Sequence, residues 1–212
     1  CKGTQAEIIA NEYNYHKLST GDLIREEIKS MTALGAAVKK IVESGQYVSD
    51  EIMIELVEKK IAEISKKNLN IVFDGFPKTL EQVRKLDELI AKYYSASDYI
   101  AVNLHVTDEE IIKRVSGRFS CAKCGAGYHD IYRKTAIFNQ CDHCGSQEFN
   151  RRKDDNPESV KTRVEVYKSK FKDVVDYYKN KNLLRTVDGM QEISSINSDI
   201  VSYTQAYTKA TY

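Results

Sequence analysis

Four cysteines stand in two matching knuckles, Cys121-Ala122-Lys123-Cys124-Gly125 and Cys141-Asp142-His143-Cys144-Gly145, with residues 125–140 between the two pairs. Cysteines three apart can turn both thiolates toward one ion, the following glycine relieves the tight backbone turn, and four such ligands complete a tetrahedral zinc site. With every position filled by protein, the metal would hold a fold and leave no opening for substrate. A four-sulfur cage also suits iron, and ligand type alone leaves that choice open. Disulfides or scattered buried cysteines are the other reading, and they do not account for the matched spacing. His129 and His143 lie nearby in sequence and read as surface or packing residues, because four thiolates already complete the site. Cys1 belongs to neither knuckle.

A second group of residues is suited to phosphate. Lys2-Gly3-Thr4 opens a helical stretch with the residue types that end a phosphate loop, where backbone N–H groups, a lysine and a hydroxyl meet phosphate and magnesium. A solvated terminal lysine would look the same. Asp74 closes a short apolar run, the place where phosphate-loop enzymes keep an acid that helps hold magnesium; it also reads as a turn aspartate before Gly75. Arg114 and Arg118, four apart, read as one helix face before the cysteine tract, and Arg152 and Arg163 flank its end. Guanidinium groups grip phosphoryl oxygens at two points and suit the charge that spreads during phosphoryl transfer. Each arginine alone reads as a surface ion pair worth about 0–1 kcal/mol, with Asp154 and Asp155 as neighbouring partners. As a set that brackets an insertion, they read as phosphate ligands. Thr79-x-x-Gln82 spells a capping box and by itself carries no function.

The elements that must position these residues alternate. TQAEIIANEY reads as a short helix, Ser19-Thr20-Gly21-Asp22 as turn and cap before LIREEIKS, and LGAAVKKIVES as a helix stopping at Gly45. The segment from Ser49 to Ile64 carries Met53, Val57, Ile61 and Ile64 at three-to-four spacing, which predicts a core-facing helix. NIVFD, residues 70–74, predicts a buried parallel strand. A helix follows over residues 79–92, with Val83, Leu86 and Ile90 on one stripe. A strand over 99–106 leads through a Thr107/Glu110 capping box into a helix over 108–118. Residues 119–149 break the rhythm with glycine, polar and cysteine residues and read as an insertion with its own small fold. Pro157 opens a long helix to about Lys179, LLRTV gives a last strand, and a helix closes the chain. Strands alternating with helices predict an α/β fold with a parallel sheet flanked by helices.

The whole chain bounds these readings. Its 212 residues allow one core plus a small insertion, and 42% hydrophobic, 30% charged content with two prolines is that of a globular protein. Basic residues (32) nearly cancel acidic ones (31), for a formal net charge of +1, so no global field draws nucleic acid or anionic lipid. No run reaches the roughly 18–20 apolar residues of a membrane span. The N-terminal residues lack a signal peptide's layout. The expectation is a cytoplasmic protein that engages neither nucleic acid nor membrane. Nothing in the sequence advertises an interface, so a monomer is expected.

Taken together, KGTQA, STGDLIRE, DGFPKT, the GR step before the double CxxC insertion, and RRKDD with the later Arg163 resemble adenylate kinases along nearly the whole chain. The resemblance implies a phosphate-loop nucleoside monophosphate kinase with a small helical AMP-binding segment and a zinc-ribbon lid insertion. Residues 1–18, 49–117 and 156–212 would form the core, 19–48 the AMP-binding segment and 118–155 the zinc-binding lid. Lys2, Gly3 and Thr4 would meet the ATP phosphates, with Thr4 and Asp74 serving magnesium. Thr20, Arg25, Val48, Gly75, Lys78 and Gln82 would hold AMP. Arg114, Arg118, Arg152 and Arg163 would gather around the phosphates of both nucleotides, and Tyr128 and Gln191 would lie toward ATP. Cys121, Cys124, Cys141 and Cys144 would hold zinc outside the chemistry. The implied reaction is reversible transfer from MgATP to AMP, giving two ADP.

The sequence departs from the family pattern in three places. It begins inside the phosphate loop, so the preceding strand and the earlier glycines are not found in it. Residue 1 is cysteine where the family has glycine. Lys78 stands where the family usually has arginine, which keeps a charge and loses the planar two-point grip. On these 212 residues alone the expectation is weak or absent catalysis. Two alternatives stand beside the main reading: a kinase for another nucleoside monophosphate, and a truncated, inactive remnant that binds nucleotide. A nucleic-acid-binding ribbon is disfavoured by the near-neutral charge and the lack of aromatic residues interleaved with basic ones in the cysteine tract.

Overall fold

A computed structural model of the chain describes residues 2–43, 48–94, 99–151, 155 and 157–209. Along the chain run α1 (Lys2–Glu12), β1 (Tyr15–Ser19), α2 (Thr20–Lys29), α3 (Ala33–Glu43), α4 (Asp50–Ser65), β2 (Asn70–Asp74) and α5 (Leu80–Tyr93). Next come β3 (Ala101–His105), α6 (Asp108–Ser116), β4 (Arg118–Cys121), β5 (Gly127–His129) and β6 (Phe149–Asn150). The chain closes with α7 (Pro157–Asn180), β7 (Leu184–Asp188) and α8 (Ile193–Lys209). It divides into two compact units, residues 1–104, 170–187 and 191–212 in the first and residues 105–169 with 188–190 in the second.

In the first unit β1 and β2 pair in parallel, from Tyr15 opposite Asn70 to Ser19 opposite Asp74. Strands β3 and β7 form a second pair. The largest core cluster joins Leu18 of β1 to Met53, Val57, Ile61 and Ile64 of α4 and to Leu86, Leu89 and Ile90 of α5. The spacing read from the sequence put Met53, Val57, Ile61 and Ile64 of α4 and Val83, Leu86 and Ile90 of α5 on core faces, and the structure buries them all, together with Leu89. Each fully buried aliphatic side chain contributes about 1.5–3 kcal/mol of transfer free energy. Val83, Val174 and Tyr178 form a second cluster, and Val187, Ile196 and Ile200 a third that takes in Ile9 of α1. Buried Gln5 ties α1 to α8: it donates to the Ile193 carbonyl at 2.9 Å and accepts from the Asn197 amide at 3.3 Å.

Helix starts follow local cap chemistry. Ser19, Ser49, Thr79 and Thr107 have extended backbones, and their side chains accept from the N–H groups of Asp22, Ile52, Gln82 and Glu110. The Thr107 box is only half closed, because the Glu110 carboxylate accepts from Arg114 Nε at 2.7 Å. The expected helix end at Gly45 lies outside the described residues.

Two expectations are corrected. Residues 15–18, to which the sequence reading assigns no element, and Ser19, read as turn and cap, form β1. In Tyr-His-Lys-Leu-Ser only Leu18 is buried, so the apolar run that marks a parallel strand is missing and pairing with β2 imposes the extended backbone. Arg114 and Arg118 do not share a helix face. Helix α6 ends at Ser116, Gly117 caps it, and Arg118 opens β4 opposite His129. The His129 ring packs against Gly117 so closely that a Cβ there would lie 2.5 Å from it.

In the second unit β4 is the middle strand of an antiparallel sheet ordered β5-β4-β6. Its small core holds Cys121, Ala126, Tyr128 and Cys141, with Phe119 and Phe149 packed against them.

Candidate functional site

Because Ser19 pairs with Asp74, β1 and β2 end side by side, and the residues that leave them meet. Thr20, 2% exposed, donates its hydroxyl to the Gly75 carbonyl at 2.9 Å. The carboxyl edge of parallel strands is where open α/β folds bind ligands. The first turn of α1 lies at the same edge. A Cβ on Gly3 would stand 3.1 Å from Asp74 Oδ2, so the backbone flanked by Lys2 and Thr4 runs against the Asp74 carboxylate. The first N–H groups of a helix have no intrahelical acceptor and carry its positive dipole end, which suits an anion.

Arg25 pairs with Asp22 one turn back on α2, both side chains about half exposed. Burial raises the Asp22 pKa, but the hydrogen bond and charge of Arg25 outweigh it and the net shift is downward. Val48 packs against the main core cluster. Lys78 and Gln82 belong to a closed network of which the sequence showed only the Thr79–Gln82 cap. Gln82 Oε1 accepts from the Lys78 backbone N–H at 2.8 Å, and its Nε2 donates to Asp50 Oδ1 at 2.7 Å. The Thr79 hydroxyl donates to Asp50 Oδ2 at 2.6 Å and accepts from the Gln82 N–H at 3.2 Å. Gln191, also in this unit, donates to Asp199 at 3.0 Å.

In the second unit Arg114 is held at three faces. Its Nε meets Glu110, its Nη1 donates to the Gly189 carbonyl at 2.6 Å, and its guanidinium lies 5.4 Å from the Tyr132 ring centre. Arg118 grips Asp155 at two points, 2.9 and 2.6 Å. Arg163 lies on α7, and Arg152 falls outside the described residues.

The four knuckle cysteines converge. Cys121 and Cys144 Sγ are 3.6 Å apart, Cys124 and Cys141 Sγ 3.5 Å, and all four sulfurs lie within 4.8 Å of one another. A tetrahedron with Zn–S bonds of about 2.3 Å has sulfurs about 3.8 Å apart, so the donor set and its spacing both fit zinc. Gly125 and Gly145 take left-handed φ of 78° and 71° and return N–H groups to the Cys121 and Cys141 carbonyls. The Tyr128 hydroxyl donates to Cys141 Sγ at 3.4 Å and accepts from the Asp142 N–H at 2.8 Å, while its ring stacks on Phe119. This tyrosine, expected to lie toward ATP, is buried in the knuckle's own core. Burial opposes ionisation of Cys141, but the Tyr128 hydroxyl and the His143 and Cys144 N–H groups outweigh it, and its pKa falls to about 6.

A family model described as adenylate kinase matches residues 1–183. The chain is 38% identical over 199 residues to the adenylate kinase of Erythrobacter litoralis, covering 94% of this chain and 92% of that protein. It is 39% identical over 197 residues to the adenylate kinase of Paramagnetospirillum magneticum, covering 92% and 89%. With the adenylate kinase of Caldicellulosiruptor saccharolyticus it shares 39% identity over 200 residues, covering 94% and 92%.

Proposed function

The chain belongs to the adenylate kinase family, and from that premise we propose how its residues divide the transfer of a phosphoryl group between ATP and AMP. The observation that supports this best is the meeting at one sheet edge of three stretches far apart in sequence: Gly3 against Asp74, and Thr20 hydrogen-bonded to Gly75.

Lys2, Gly3 and Thr4 would hold the ATP phosphates at the start of α1, with Gln191 toward the same nucleotide. The Asp74 carboxylate beside that turn, with the Thr4 hydroxyl, offers the hard oxygen ligands magnesium prefers. When bound, magnesium would neutralise phosphate charge. Residues 19–48 would form the AMP-binding segment, with Thr20, Arg25, Val48, Gly75, Lys78 and Gln82 holding AMP. Residues 118–155 would form the lid. Arg114, Arg118, Arg152 and Arg163 would stabilise the charge on the transferring group as the AMP phosphate attacks the γ-phosphorus in line, with no covalent protein intermediate. The four cysteines would hold zinc as a structural cross-link, and Tyr128 would serve ATP through the knuckle it buttresses. We further read the chain as a cytoplasmic monomer; no described helix is long and apolar enough to cross a membrane.

The test is ADP formation from MgATP with AMP, UMP, CMP or GMP as acceptor. Preference for AMP supports the assignment. Equal turnover of another monophosphate would overturn it.

A further inference from the structure

We infer that Asp50 is a positioning residue for base selection: it fixes which way the Gln82 amide faces. A primary amide can turn end for end and exchange its carbonyl and amino groups at little steric cost. Gln82 is 5% exposed and has no such freedom, because its carbonyl takes the Lys78 N–H at 2.8 Å and its amino group reaches Asp50 at 2.7 Å. The carboxylate only accepts, so it enforces the amino end. It is itself fixed by the Thr79 hydroxyl at 2.6 Å. Asp50 opens α4, 29 and 32 residues from its partners, and brings a carboxylate to this ring.

The orientation matters for recognition. A glutamine amide held one way offers an N–H beside a C=O, the complement of an acceptor next to an amino group, as on the base edge of adenine. Turned over, it complements a 6-oxopurine, whose edge has donor and acceptor exchanged. Asp50 therefore keeps the amide in the register that favours a 6-amino over a 6-oxo base. This rests on the proposal that Gln82 touches the acceptor nucleotide.

Calorimetric titration with AMP, IMP and ATP on three single variants and one double variant of the full chain tests it without depending on turnover. Asp50→Asn keeps the shape but can donate as well as accept, so only the Lys78 N–H still opposes the amide's second orientation. AMP affinity should fall about 5- to 10-fold, the AMP-to-IMP ratio should fall with it, and ATP affinity should hold within about twofold. Asp50→Glu, which keeps the charge and displaces the carboxylate, should weaken AMP binding too, and it carries the test if the asparagine variant folds poorly by thermal melting. Gln82→Leu is the reference, and adding Asp50→Asn to it should weaken AMP no further. If Gln82→Leu leaves AMP binding unchanged, the placement of Gln82 at the acceptor fails, and this inference with it. If Gln82→Leu weakens AMP but both Asp50 variants bind as the parent does, or lose AMP and ATP equally, the positioning role alone is overturned.

Discussion

Arg118 and Asp155 form a two-point ion pair, 2.9 and 2.6 Å, between the first residue of β4 and the stretch preceding α7. Asp155 is nearly buried, its side chain 4% exposed, while that of Arg118 keeps 35%. Removing the guanidinium would leave a buried carboxylate without this partner, a loss of about 3–5 kcal/mol for a fully buried pair and less here because Arg118 still sees water. Arg118→Ala should lower the melting temperature measurably. Arg118→Lys keeps a charge beside Asp155 and should lose less stability than Arg118→Ala, yet it should lower the turnover of ADP formation, because lysine cannot make the planar two-point grip. Equal stability and turnover in Arg118→Lys and the parent would count against a phosphate role.

The cysteine cluster makes a prediction about metal. Metal analysis of the purified chain should find one zinc per molecule, bound by Cys121, Cys124, Cys141 and Cys144. Stripping it with a chelator should melt the β4–β5–β6 core first, since three short strands around Phe119, Tyr128 and Phe149 bury little else. At about 2–4 °C per kcal/mol, loss of a structural zinc should lower the transition by roughly 10 °C or more. Cys141→Ser should reproduce the effect of the chelator, and zinc should not restore it.

How much of this was legible in advance depends on how local the determinants are. The knuckles could be read because their spacing is nearly the whole of their geometry. Helices α4 and α5 could be read because burial imposes a period on them, and β2 because its apolar run stands out, though its residues are only partly buried or exposed where a buried strand was expected. Strand β1 could not, because Tyr15, His16 and Lys17 are ordinary surface residues until β2 pairs with them. Arg118 was misplaced by counting helical turns through Gly117, the C-cap of α6, against which the His129 ring packs. Asp50 could not be read, since nothing in its neighbourhood in the sequence points to Thr79 or Gln82. Tyr128 was placed by resemblance alone, and its hydroxyl bond to Cys141 depends on a fold that spacing does not reveal.

Asp87 gives a prediction in pH. Its carboxylate accepts from the hydroxyls of Tyr99 at 2.6 Å and Tyr177 at 2.5 Å and from Lys181 Nζ at 2.7 Å, joining α5, the approach to β3 and the end of α7. Burial pushes its pKa up, but the hydrogen bonds from Lys181, Tyr177 and Tyr99 together prevail and lower it. A carboxyl depressed on folding contributes stability that is fully present above its unfolded value of about 3.9 and is lost as pH falls through the lower folded value. Thermal melts should therefore show an acid limb beginning near pH 4 to which Asp87 contributes. Asp87→Asn should lower stability at pH 7 and flatten that limb. A parallel downward shift at every pH would mean that the charge of Asp87 plays no part.

Gly3 separates activity from stability. Alanine there would improve helix propensity in α1 by up to about 1 kcal/mol, but its Cβ would come within 3.1 Å of Asp74 Oδ2. That is tighter than ordinary contact, and the carboxylate must shift by a few tenths of an ångström away from the turn that carries Lys2 and Thr4. Gly3→Ala should accordingly melt no lower than the parent while requiring more magnesium for half-maximal ADP formation, with the KM for AMP unchanged. A magnesium dependence identical to the parent's would place Asp74 outside the metal's reach, and a rise in the KM for AMP alone would move the effect of Gly3 to the acceptor side.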